Sequence, residues 1–328
     1  MDKVALLSLD ERKELFTETA ARKNMQPAIA EKEFWVCWTL SKLFGHEALA
    51  KLLMFKGGTS LSKVFHLIER FSEDIDLILD WRLVSGENPE EDRSKSQQAK
   101  LNRAINEKAQ DYIAGDLLDM VRSLMSPVCS CSIAADVPHV INIKYPAAFS
   151  DQYLRPEIRL EIGPLASWFP SDRYSVAPYA AEAFPHLFEQ PSCFVQAIKA
   201  ERTFWEKATI LHQEAHRSED KPLPLRYSRH YYDLALMANS EVREAALADI
   251  AQLKDVVDFK MRFYPSGWSH YDTALPGSLQ LMPRKHVLST LRSDYANMRN
   301  MIFGHCPTFD ELLTRLQALE DEINSIKL

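Results

Sequence analysis

The stretch Lys56-Gly-Gly-Thr-Ser-Leu-Ser-Lys-Val-Phe-His-Leu-Ile-Glu-Arg-Phe-Ser-Glu-Asp-Ile-Asp-Leu-Ile-Leu79 decides how this chain reads. Two glycines and two hydroxyls open an apolar-periodic segment, and Thr59 or Ser60 can cap a helix running to about Arg70. Residues 72–80 then read as a short apolar strand carrying Asp74 and Asp76. Strand side chains alternate, so both carboxylates point to one face, roughly 7 Å apart along the chain. Two carboxylates so placed suit a divalent metal held against a phosphate. Gly57 and Gly58, just before the helix, can bring bare backbone N–H groups to the phosphate, with Ser60 adding its hydroxyl; Lys56 either screens phosphate charge or is a plain solvated lysine. An isolated Asp-x-Asp is usually a solvated strand end. Gly-Gly-Thr-Ser one helix upstream tips the reading to a nucleoside-triphosphate site.

The run Gly-Gly-Thr-Ser-Leu-Ser followed by Phe-Ser-Glu-Asp-Ile-Asp-Leu resembles the nucleotidyltransferase fold of the DNA polymerase β type. More narrowly it is similar to the AbiEii/AbiGii family, nucleotidyltransferase toxins of bacterial type IV toxin–antitoxin and abortive-infection systems. Two later motifs fit that resemblance: Glu206-Lys207-Ala208-Thr209-Ile210-Leu211-His212 and Arg229-His230-Tyr231-Tyr232-Asp233-Leu234. All four fall in order between residues 56 and 234. The spacing departs from the shortest versions of the pattern: fifteen residues separate Gly58 from Asp74, which one extra helical turn would absorb.

The resemblance implies an α+β fold, with an N-terminal nucleotidyltransferase-type mixed sheet flanked by helices and a largely α-helical C-terminal domain. It implies NTP as substrate and Mg²⁺ (or Mn²⁺) as cofactor. It makes Asp74, Asp76, Lys207 and Asp233 catalytic, and Lys56, Gly57, Gly58, Thr59 and Ser60 nucleotide-binding. Lys207 would meet the triphosphate and offset charge building on pyrophosphate. Asp233 would orient that lysine or help to activate the incoming hydroxyl. A cognate antitoxin protein is implied as partner, and a tRNA 3′ end as acceptor.

A third carboxylate commonly joins such a pair from a neighbouring strand. Residues 155–163 alternate, Ile158, Leu160 and Ile162 against Glu157, Arg159 and Glu161. Glu161 is the expected third metal ligand, and Glu157, farther from the strand centre, the second choice.

The chain has 328 residues, 46% hydrophobic and 26% charged, enough for one large or two ordinary domains. A net charge of −7 excludes a uniformly basic nucleic-acid binder but not a local basic groove. Met1-Asp2-Lys3 leads into polar Ser8–Arg12 rather than a signal peptide, and no apolar run approaches the ~20 residues of a membrane span. Five scattered cysteines without Cys-x-x-Cys suit a reducing cytoplasm and not structural zinc.

Helical periodicity covers residues 9–25, 28–53 and 100–126, and residues 86–99 are a polar loop. Strand alternation returns at 140–145 and 155–163. After Pro164 the text becomes a Pro- and aromatic-rich loop, then largely helix from about Ser192, with a long ordered loop at 264–286. We expect a nucleotidyltransferase domain over residues 1–165 and a mostly helical domain over 166–328. The second domain would contribute Lys207 and Asp233 and bind the acceptor.

For the acceptor, Arg229, Arg284 and Lys285 are the expected RNA contacts, with His286, Arg292 and Arg299 nearby. Phe263, Tyr264, Trp268, Tyr271 and Tyr295 interleave with them, either as stacking platforms or, the commoner reading, as core of a helical domain. His212 and His216 share metal-ligand spacing with Glu219 nearby, though a solvated face is the commoner reading. The leading expectation is a metal-dependent transferase moving NMP onto RNA and so blocking translation. AMPylation of a protein hydroxyl, modification of a small molecule, or a non-catalytic nucleotide-binding module are the alternatives.

Overall fold

The structure, a computed structural model, describes residues 1–150 and 154–327. It divides into two compact units, Met1–Phe65 with Phe71–Ile198, and His66–Arg70 with Lys199–Leu328.

The first unit begins with helices α1 (Asp2–Ala5), α2 (Leu9–Lys23) and α3 (Pro27–Gly45). Ser8 and Glu11 cap α2 reciprocally, satisfying two N–H groups that the helix start leaves unpaired. The periodicity over 28–53 predicts one helix, but the chain breaks at His46, whose extended backbone starts α4 (Glu47–Leu52). Leu53-Met54-Phe55, which fits a helix pattern equally well, is instead the buried strand β1 (Leu53–Lys56). Helix α5 (Gly57–Lys63) follows and stops well before Arg70. Strand β2 (Asp74–Leu79) comes next. Helices α6 (Lys95–Tyr112) and α7 (Leu118–Met125) are joined by a π-helical turn, Ile113–Leu117.

Strands β3 (Ser130–Ile133), β4 (Val140–Lys144) and β5 (Glu157–Gly163) come next. The segment after Pro164 expected to be loop and helix holds β6 (Ser171–Val176), α8 (Tyr179–Ala183) and β7 (Cys193–Ile198). All seven strands form one mixed sheet in the order β3-β4-β5-β2-β1-β7-β6. Pairs β2–β5 and β1–β7 are parallel; β1–β2, β3–β4, β4–β5 and β6–β7 are antiparallel. Because β6 and β7 complete this sheet, the first unit runs to Ile198 rather than ending near residue 165. One face packs on α3, whose Phe34, Trp35, Trp38 and Leu40 are almost wholly buried.

The second unit is helical: α9 (Ala200–Ala215), α10 (Ser228–Met237), α11 (Glu241–Ala248), α12 (Ala251–Phe263), α13 (Leu288–Met298) and α14 (Phe309–Ser325). Asp294 accepts the N–H groups of Arg226 and Ser228 at the start of α10. The 264–286 segment is an ordered loop held from inside: Glu320 accepts the Leu281 and Met282 N–H groups, and Asn324 pairs with both backbone groups of Leu279. No helix among the described residues is long and apolar enough to cross a membrane.

Candidate active site

In the first unit, register does what alternation predicts. Lys56 pairs with Asp76 across β1–β2, and Asp76 with Glu161 across β2–β5. Paired residues project to the same face, so Lys56, Asp76 and Glu161 stand abreast, with Asp74 two positions along β2. Glu157 pairs instead with Lys144 of β4, beyond the end of β2, which leaves Glu161 as the carboxylate beside Asp76.

Gly57 joins β1 to α5 at φ +85, a backbone conformation that L side chains rarely adopt. A Cβ there would fall 2.0 Å from Asp76 Oδ2. The glycine is thus needed twice, for the turn and for the carboxylate lying against it. The hydroxyls serve the scaffold. Thr59 Oγ1 donates to the Asp74 carbonyl, tying α5 to the carboxylate strand, and Ser60 Oγ donates to the Gly57 carbonyl at 2.8 Å. Neither caps a helix, since α5 begins at Gly57 and both lie inside it. What Gly57 and Gly58 offer an anion is backbone, not the Ser60 side chain.

Burial raises the Asp74 pKa, and the negative charges of Asp76 and Glu73 raise it further, against Arg159 and Lys32. That mutual repulsion is what a cation would relieve. Arg159 Nε stands 3.9 Å from both Asp74 Oδ1 and Glu161 Oε1, between the two carboxylates. Lys32, buried in α3, binds Glu73 at 2.8 Å, and Glu33 of α3 pairs with Lys63 of α5. Sequence reasoning missed all three. Arg159 was findable, since it alternates with Glu157 and Glu161; Lys32 and Glu33 sit in a helix whose apolar neighbours give no hint that they are buried.

Among the described residues no three His, Cys, Asp or Glu side chains converge into a ready metal nest. The donor set still fits Mg²⁺, which takes one or two carboxylates and completes its octahedron with water and substrate phosphate. Asp74 and Asp76 are two hard oxygen donors on one strand face, and Glu161 is adjacent.

The second unit holds a buried ionic group. Lys207 of α9 and Asp233 of α10 meet at 2.8 Å where the two helices pack together. Arg70 also binds Asp233, Nε to Oδ1 at 2.7 Å and Nη2 to Oδ2 at 2.8 Å. Lys207 Nζ donates to His230 Nδ1 at 3.2 Å, which makes that imidazole neutral with its proton on Nε2. Burial would raise the Asp233 pKa, but Arg70 and Lys207 outweigh it and hold the carboxyl well below its usual range. Burial, offset in part by Asp233 and reinforced by Arg70, lowers the Lys207 pKa. With both oxygens occupied and so little basicity, Asp233 is suited to orienting Lys207, not to taking a proton from a hydroxyl. Arg70 went unseen in the sequence, where it looked like the last residue of a helix.

The extra length between Gly58 and Asp74 is not a further helical turn. It is the strap His66–Arg70, which belongs to the second unit.

The predicted acceptor residues are not drawn into one surface of stacked rings. Phe263, Tyr271 and Tyr295 are core, and Tyr295 donates its hydroxyl to the Pro307 carbonyl. Trp268 lies under Arg217 and Lys221. Only Tyr264 is well exposed. Arg284 and Lys285 are exposed, although Arg284 Nε donates to the Ala215 carbonyl at the end of α9, and Arg229 is half-buried. His212 donates from Nε2 to the His270 carbonyl and accepts the Gln280 N–H at Nδ1, while His216 bonds the His212 carbonyl. With both ring nitrogens of His212 engaged, the two histidines do not make a metal-ligand pair.

No curated protein matched the chain by sequence. Among solved structures it is similar to MenT4, a nucleotidyltransferase toxin from Mycobacterium tuberculosis H37Rv, with 14% identity and a TM-score of 0.43 over 97% of this chain and 100% of that one. A family profile, the nucleotidyl transferase AbiEii toxin of type IV toxin–antitoxin systems, matches residues 38–315 and so includes all four motifs. The chain belongs to the AbiEii family of nucleotidyltransferase toxins.

Proposed function

We propose that this nucleotidyltransferase toxin moves NMP from an NTP onto the 3′ end of an RNA, tRNA in particular, in a Mg²⁺-dependent reaction that blocks translation. The observation that carries the proposal is the register of Lys56, Asp76 and Glu161 abreast on three neighbouring strands, with Gly57 against Asp76. In the transfer, an acceptor hydroxyl oxygen bonds to the α-phosphorus, the bond to the β-phosphate breaks, pyrophosphate leaves with the electron pair, and the hydroxyl proton passes to water. Mg²⁺ held by Asp74 and Asp76, with Glu161 beside them, would neutralise triphosphate charge and align the in-line displacement. Lys56 and the Gly57–Gly58 backbone face the phosphates. Lys207 gives one N–H to Asp233 and one to His230 and keeps a third, and the family resemblance assigns this lysine to the leaving pyrophosphate. Support for an RNA acceptor comes from the exposed Arg284, Lys285 and Arg299 of the second unit. As in the family, a cognate antitoxin protein is the expected partner.

The test is label transfer from each α-labelled NTP, with Mg²⁺ and total cellular RNA, resolved on a denaturing gel. A labelled tRNA-sized band that disappears in Asp76→Ala, in a protein that still folds, is the expected result and names the base. Label on protein instead of RNA would move the proposal to AMPylation, and label on RNA undiminished in Asp76→Ala would remove the carboxylate mechanism.

A further inference from the structure

We propose that Arg70 is the positioning residue of the active-site lysine: its guanidinium fork fixes the Asp233 carboxylate, and Asp233 fixes Lys207. This rests on the reading of Lys207 as the phosphate-facing cation. The geometry is that of a fork on a planar carboxylate, two parallel N–H···O bonds that also define the carboxylate plane. An Asp held by Lys207 alone could turn about Cβ–Cγ and carry the ammonium with it. Held by the fork, it cannot turn, and Oδ2 is left aimed at Lys207 Nζ.

The fork is itself anchored. The Phe303 N–H donates to the Glu69 carbonyl at 3.0 Å and the His305 N–H to Glu69 Oε2 at 2.9 Å, while Arg70 pairs with Ile302 as an isolated β-bridge. Gly304 leaves no room for a side chain, since a Cβ would stand 1.8 Å from Glu69 Oε2. His66 enters the strap at φ 53. Arg70 is 4% exposed and Asp233 fully buried, so neither is free to exchange with solvent partners. A strap that needed only docking would be served by these backbone links. The buried guanidinium adds a charge, and a charge placed there acts on Lys207, together with those of Asp233 and Arg229 and the neutral His230.

The test follows Lys207 directly. Protein labelled with ¹³Cε,¹⁵Nζ-lysine gives Lys207 a signal assigned by its loss in Lys207→Arg. In Arg70→Gln the Lys207 titration midpoint is expected to move upward, because a neighbouring positive charge is gone. The kcat for NMP transfer is expected to fall about 100-fold, the cost of roughly 1 Å of misplacement. Arg70→Lys should restore the midpoint but only part of kcat. An unmoved midpoint in folded Arg70→Gln overturns the proposal, and so does an unchanged kcat. A moved midpoint in a protein whose wild type transfers no NMP to RNA would leave the Arg70 assignment standing and sink the proposed reaction instead. If Arg70→Gln does not fold, the wild-type Arg70 Nε–H decides. Slow exchange with solvent is expected, and exchange as fast as that of an exposed arginine overturns the fork.

Discussion

Replacing Gly57 by alanine is the sharpest way to strike the carboxylate strand without touching a carboxylate. The new Cβ would lie 2.0 Å from Asp76 Oδ2 and 2.7 Å from its Cγ. Real Cβ atoms essentially never come within 3.0 Å of such an atom, so Asp76 must retreat by about 1 Å, a displacement that costs catalysis on the order of 100-fold. The backbone adds its own term, because φ +85 costs an L residue about 1–2 kcal/mol. Each kcal/mol lowers Tm by roughly 2–4 °C in a unit of this size. The measurement is initial rate of NMP transfer from labelled NTP beside thermal unfolding of the same sample. Gly163→Ala is the control: nothing lies within 4 Å of that Cβ, so rate and Tm should stay near wild type. A folded Gly57→Ala protein that transfers NMP at the wild-type rate would refute the placement of Asp76 against the turn.

Gly304→Ala should force Glu69 off its contact, costing about 1–3 kcal/mol by overpacking, and faster amide exchange at Phe303 and His305 would report it. Asp233→Asn leaves the buried cations Arg70 and Lys207 without their anion and should cost about 3–5 kcal/mol in urea unfolding; a loss under 1 kcal/mol would show that the group is not buried as described. Burial lowers the His212 pKa to about 4, below the ~6.5 of an unfolded chain, so the folded state favours the neutral ring. Its stability is full above pH ~6.5 and falls, by an order of 1–3 kcal/mol, as pH drops toward 4. His212→Gln should flatten the pH dependence of urea unfolding over that window, and parallel profiles for the two proteins would contradict it.

The candidate site was legible because its signals are local. Asp74 and Asp76 sit on a strand with clean alternation, and the Lys207 and Asp233 motifs keep helical spacing around them. What stayed hidden depends on partners far away in sequence. Leu53-Met54-Phe55 becomes a strand because β2 and β7 flank it, and neither is implied by three apolar residues after a helix. Strand β6, Ser171-Asp-Arg-Tyr-Ser-Val, is a polar edge with no apolar face to betray it. Arg70 showed nothing, since a fork is made by the carboxylate it meets, 163 positions later. The basic–aromatic pattern was ambiguous in itself, because Phe263, Tyr271 and Tyr295 carry the same letters whether they stack on bases or, as here, fill a core.

The strap sets an order on synthesis. Residues 66–70 leave the ribosome early, yet the partner of Glu69 at His305 is made 236 positions later, and β1 is an open edge until residues 193–198 arrive. A nascent chain released before about residue 305 carries the carboxylate strand and the lysine but lacks the hydrogen bonds that seat the strap. Translation products cut short by stalling before that point would then be poor toxins.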